Sequence, residues 1–145
     1  MKAATRAKAS WLFWAIAALS LLWNAFGCMD FTLTVTRTPP YMAQFPPEMV
    51  DWLDTQPTWT LVPWALGVWG ALAGSLLLLL RSRHAVAAFA LSLAGLAVSQ
   101  IWQALSDMPE SMTTPAATGM TVTIWIAALV LLWYAVRMRG QGVLG

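Results

Sequence analysis

Four stretches of this chain carry no charged side chain over a length that can cross a bilayer: Trp11 to Met29, Trp59 to Leu80, Ala85 to Leu105 and Met120 to Val136. The nineteen residues of the first, at about 1.5 Å of rise each, make roughly 28 Å of helix, close to the thickness of a hydrocarbon core. A bilayer interior offers no water to a loose N–H or C=O, so such segments must satisfy their own backbones as helices. Composition agrees, with 59% apolar and 10% charged residues, against about 45–50% and about 25% in ordinary globular chains. The expected fold is an all-α integral membrane protein. Four antiparallel transmembrane helices form one domain over residues 1–145, and the outer loop, 30–58, carries a short periplasmic amphipathic helix.

The basic residues orient these spans. Lys2, Arg6 and Lys8 precede the first, Arg81 and Arg83 separate the second from the third, and Arg137 and Arg139 follow the fourth. In a four-span chain these positions share one side, and the positive-inside rule makes that side cytoplasmic together with both termini. Arg37 and all six acidic residues (Asp30, Glu48, Asp51, Asp54, Asp107, Glu110) fall on the other side. The stretch Ala25-Phe26-Gly27-Cys28 imitates a lipoprotein cleavage site. Bulky Phe26, and Trp11, Trp14 and Trp23 within the apolar run, depart from a signal core, so the first span is expected to be retained.

Phe31 to Thr38 alternates like a strand, yet it has no ladder partner at a membrane surface, so an extension of the first helix fits equally well. Pro39-Pro40 stops either one. A helix restarts at Pro47 with Glu48 near its positive end. Met49, Trp52 and Leu53 share one face, and Glu48, Asp51 and Asp54 the other, which describes an interfacial helix anchored by Trp52. The carboxylates read either as its solvated face or as a site for a cation or sugar hydroxyls.

WNAFGCMDFTLTVTR (Trp23–Arg37), YMAQFPPEMVDWLD (Tyr41–Asp54) and WALGVWGALAGSLLLLLRSRHAVAAFALSLAG (Trp64–Gly95) resemble a group of small, uncharacterised bacterial inner-membrane proteins with four predicted spans. Some members are labelled sugar transporters. The resemblance implies the four-span architecture and a bacterial inner membrane; it brings no catalytic or binding residues with it.

Inside the spans the polar side chains are few and uncharged. Asn24, Gln100 and Gln103 fall in the outer halves of their helices, where they either bond neighbouring helices or line a shallow outward cavity. Gly67, Gly70 and Gly74 in the second span, and Ser92, Gly95 and Ser99 in the third, recur at three and four residues, the spacing of small faces that let helices approach closely. The tight turn at Arg81–His84 allows these faces to meet within one chain; a dimer contact is the competitor.

One cysteine and one histidine leave too few ligands for zinc, haem or iron–sulfur sites, and the methionines follow no repeated copper-binding motif. No His or carboxylate is placed to activate a nucleophile within the membrane. No metal, cofactor, catalytic residue or nucleic-acid partner is therefore expected. The expected function is a non-catalytic accessory or packing subunit of a larger membrane complex, with membrane lipids and a protein partner or a second copy as neighbours. The alternatives are an oligomeric transporter of a small, sugar-like solute, and a lipid-binding protein acting through the outer helix.

Overall fold

Helices in lipid gain little from hiding apolar surface, so they associate where small residues let backbones touch. The computed structural model, which describes residues 5–145, is organised around one such contact; Lys2 lies outside the described residues. Its elements are α1 (Trp11–Val35), α2 (Pro39–Met42), α3 (Pro47–Thr55), α4 (Leu61–Leu79), α5 (Ala85–Leu105) and α6 (Pro115–Gly140), with 3₁₀ turns at Thr58–Thr60 and Glu110–Met112. No strand occurs among the described residues. α1, α4 with its preceding turn, α5 and α6 are each long and apolar enough to cross a membrane. The chain is an all-helical, multi-pass membrane protein.

α4 and α5 make the closest contact. A Cβ on Gly95 would sit 2.6 Å from the Pro63 carbonyl oxygen and 2.7 Å from the Gly67 nitrogen. One on Gly74 would meet the Phe89 ring at 2.7 Å, and one on Gly70 would meet Ser92 at 3.2 Å. Ser92 reinforces the seam by donating from Oγ to the Gly67 carbonyl at 2.5 Å. The Gly70–Gly74 pair is thus used inside the monomer. Ser99, one turn further along α5 than Gly95, belongs to the same expected face, but its hydroxyl is buried without a hydrogen-bond partner among the described residues.

α1 packs against α4 through polar contacts as well as apolar ones. Asn24 donates from Nδ2 to Ser75 Oγ at 2.8 Å and to the Ala71 carbonyl at 3.3 Å. Cys28 donates from Sγ to the Val68 carbonyl at 3.2 Å. In lipid each such bond is worth about 0.6–2 kcal/mol.

Three helices end alike. After α1, α4 and α6 the chain turns through a left-handed residue (Arg37, φ 51°; Arg81, φ 55°; Gly142, φ 73°). In each case that residue and the next bond back to the last helical turn: Thr38 N–H to Leu33, Ser82 N–H to Leu77 and Val143 N–H to Met138. This is the Schellman arrangement. Only α6 uses glycine there. At Arg37 and Arg81 the chain accepts a conformation that is unfavourable for an L-residue and gains two working guanidinium groups.

Arg81 donates from Nε to the Val143 carbonyl at 3.1 Å and also bonds the Ala7 carbonyl. Ala7 N–H reaches the Gly142 carbonyl at 3.0 Å, and Gly145 N–H the Arg81 carbonyl at 3.0 Å. Val143 and Leu144 are buried there with Phe13, Ala17, Leu78, Ala85, Phe89, Leu131, Ala135 and Met138. All residues of this core lie in the half of the bundle that carries Arg6, Lys8, Arg81, Arg83, Arg137 and Arg139, here called the basic end.

At the opposite, loop end the sequence leaves both a strand and a helix extension open for Phe31–Thr38, and the structure takes the extension: α1 continues past Met29 to Val35. With no ladder partner, Thr32 and Thr36 instead bond back to the carbonyls four residues earlier, each at 2.7 Å. The chain turns at Arg37 before the proline pair, and Pro39 starts α2 rather than ending α1. α6 overruns the expected 120–136 at both ends: it begins at Pro115, where Thr114 caps Ala117 N–H at 3.2 Å, and continues to Gly140 before the left-handed turn at Gly142. α4 starts two residues later than expected, after the 3₁₀ turn.

If the α4–α5 seam carries the fold, Gly95→Ala forces backbone against backbone. It should lower stability in detergent by about 1–3 kcal/mol, the usual cost of overpacking. Gly67→Ala, whose Cβ has 3.5 Å of clearance, should be nearly neutral. Thermal melts of the two variants measure the difference.

Candidate functional site: a two-part cavity at the loop end

α4 separates α1 from α5, and α6 leans on α5. Around the bundle, α6 and α1 are therefore the last pair that must meet. They do so at the basic end, where Phe13 stacks on Tyr134 with ring centroids 6.3 Å apart. Towards the loop end they part, leaving a cavity of about 670 Å³ lined by all four spanning helices. Gly67, Ala71 and Ser92 form its back wall, Phe26 and Ile124 lie at its rim, and Phe89 and Leu131 close it towards the basic end.

A second cavity, about 350 Å³, lies beneath α3. Met49, Trp52 and Leu53 cover it, while Glu48 and Asp51 are exposed and stay clear of it and Asp54, also exposed, lies at its edge. Trp52 therefore lines a hollow in the protein and is not solely an interfacial anchor. Two side-chain contacts fasten this cover. Arg37 pairs with Asp54 at 2.6 Å, although both are exposed, so the pair contributes little on its own. Trp102 donates from Nε1 to Gln56 Oε1 at 2.8 Å. Beside it, Tyr41 donates its hydroxyl to Asp30 and so ties α2 to α1.

The two cavities share five lining residues: Asp30, Trp64, Ser99, Gln103 and Met112. Three of these are polar, and they gather hydrogen-bonding capacity at the junction. Gln100 donates to Gln103 Oε1 at 3.4 Å, which leaves the Gln103 amide N–H groups directed to no other side chain among the described residues. The Ser99 hydroxyl, although its residue lines the junction, is closed off from the cavity and has no partner among the described residues. Away from the junction, Asn24 lines the larger cavity while its amide N–H groups are held by α4.

Of the residues singled out from the sequence, Asn24, Gln100 and Gln103 thus come together in one cavity. Gly67 and Ser92 serve both the helix seam and the cavity wall, and Gly70, Gly74 and Gly95 serve the seam. Glu48, Asp51 and Asp54 do not converge: no cluster of three or more potential metal ligands forms among the described residues. Asp30, Tyr41 and Trp64 were not anticipated. Asp30 reaches the junction because α1 continues past Met29, and Tyr41 reaches Asp30 because α2 folds back over the end of α1.

No known protein family, curated protein or solved structure matches the chain.

Burial, reinforced by the hydrogen bond to Asp30 and by its negative charge, pushes the Tyr41 phenol up from its ordinary value of 10 to about 12. The neutral phenol is the form the fold favours. Its contribution is therefore complete below pH 10 and disappears as pH rises through about 12. In a Tyr134→Phe background Tyr41 is the sole tyrosine, and its ultraviolet titration should centre near pH 12. Asp30→Asn should lower that midpoint without returning it to 10, because burial is the larger cause.

Proposed function

We propose that this chain is a non-catalytic, multi-pass membrane protein that holds a guest drawn from the bilayer. In this reading it sits in a bacterial inner membrane with both termini cytoplasmic. The observation that carries it is the cavity of about 670 Å³ between the four helices. That volume lies within the range of sites for small ligands and cofactors, about 300–1,000 Å³, and the lining is mostly apolar with a few placed polar groups, as such sites are. Hydroxyls, amides and one carboxylate already engaged by Tyr41 make a set suited to holding a molecule. The basic end of the bundle collects Arg6, Lys8, Arg81, Arg83, Arg137 and Arg139, which supports its assignment to the cytoplasmic side.

The accessory-subunit reading has one observation in its favour, the same opening between α1 and α6. A partner's helix would enter there against Phe26 and Ile124, which are 64% and 38% exposed. The small-residue face no longer adds to that reading, since α4 and α5 use it on each other. Transport of a sugar-like solute would need a passage through the core of Phe89, Leu78 and Leu131, which closes the cavity towards the basic end.

Purification in a mild detergent followed by solvent extraction and mass spectrometry separates these readings. The full-length protein should carry a membrane-derived small molecule at near-stoichiometric amount. Ala128→Trp, which projects an indole into the cavity, should abolish it while leaving the melting temperature unchanged or raised. A protein that carries no such molecule, or carries it equally with and without the substitution, contradicts the proposal. A stoichiometric polypeptide in its place would favour the accessory subunit.

A further inference from the structure

The cavity differs along its length, and that difference bears on what kind of guest fits. Between Met120 and Leu131 on α6, both of which line it, eleven residues at 1.5 Å each span about 16 Å. Over this distance Phe26, Val68, Leu96, Ile124 and Ala128 present apolar surface, relieved by Asn24, Ser92 and Thr121. At the loop end the lining changes to Asp30, Ser99, Gln100 and Gln103. A guest complementary to both parts has an apolar chain and a polar head at one end. The volume suits a ligand of drug-like size, which means one acyl or prenyl chain and not a two-chain phospholipid.

The charge of the junction selects among heads. Asp30 lines it directly, and the loop end holds six acidic residues against Arg37 alone. Arg37 lines the smaller cavity only and is not among the five residues shared at the junction. A phosphate or carboxylate head would therefore enter beside a carboxylate with no cation among those five residues, and like charges in a poorly solvated site repel. A hydroxyl-bearing head fits instead. It can donate to Asp30 or to the Gln100 side-chain carbonyl and accept from the Gln103 amide, whose N–H groups are directed to no other side chain among the described residues.

Building on the cavity-binding function above, we infer that the guest is a single-chain amphiphile with an uncharged, hydroxyl-bearing head. The head sits where the two cavities meet, against Gln103 and Asp30, and the chain runs between α1 and α6 towards Phe89 and Leu131. The opening between α1 and α6 gives it lateral entry from the bilayer.

Native mass spectrometry of the delipidated full-length protein, titrated with monoolein and with 1-oleoyl-glycerol-3-phosphate, tests this, because the two probes differ only by a phosphate. One monoolein should bind per chain, at least about tenfold more tightly than the phosphate form, a ratio within reach of one like-charge contact. Asp30→Asn should narrow that gap, and Gln103→Leu should weaken monoolein by about tenfold, the effect of one good hydrogen bond. Glycerol alone should not bind. Equal or tighter binding of the phosphate form overturns the inference about the head and leaves the cavity-binding reading standing. Failure of both probes, in a protein that still co-purifies with another membrane molecule lost in Ala128→Trp, overturns the ligand class alone. Failure of both with no co-purifying molecule overturns the cavity reading as well.

Discussion

Everything in this bundle is arranged around the place where the α4 and α5 backbones touch. Gly95 lies so close to Pro63 and Gly67 that a methyl group has no room, and the Ser92 hydroxyl locks the same level of the two helices at 2.5 Å. The contact works in lipid because it relies on close approach and hydrogen bonding, which do not weaken when water is absent. Once α4 and α5 are joined, α1 has one face of α4 to pack on and α6 is left to lean against α5. The separation of α1 from α6 follows from that order.

Packing is consequently uneven along the membrane normal. The basic end is filled by Phe13, Leu78, Phe89 and the returning Val143–Leu144 segment, and is laced by Arg81 to the segments on either side of it. The loop end has no equivalent plug. Two cavities meet there, the smaller beneath an amphipathic helix held by Arg37–Asp54 and Trp102–Gln56. Interiors are normally as dense as organic crystals, so a hollow of this size on one side of an otherwise packed bundle points to use. The polar groups collected at its head end, and the apolar surface below them, give that use a chemical direction.

Much of the architecture was legible in the residues themselves. An uncharged run in a bilayer has one way to satisfy its backbone, so the spans followed directly, and Ala85–Leu105 begins and ends where expected. The meeting of the α4 and α5 faces followed from glycine spacing and a turn too short to separate them. What the sequence did not disclose depends on tertiary placement. Phe31–Val35 alternates like a strand, but a neighbour's backbone, and not the local pattern, decides whether a strand forms; threonines bonding back to the helix settle it here. The cavity was hidden for a similar reason. Its walls are side chains common in any membrane helix, and its existence depends on a gap between α1 and α6, about a hundred positions apart in the chain. Asn24, Gln100 and Gln103 could be proposed as neighbours from their depth, whereas Asp30 could be placed with them only if the helix extension, one of two readings of Phe31–Thr38, was the one taken.

The central claim is that the space between α1 and α6 is occupied by an amphiphile from the membrane. An experimental structure of the full-length protein in lipid nanodiscs tests it most directly. The account predicts elongated density of chain-like width running from Ser99 and Gln103 towards Phe89 and Leu131, with α1 and α6 held apart along it. A bundle in which α6 closes onto Phe26 and Gly27 and erases the space, or in which a protein helix fills it, would contradict the account.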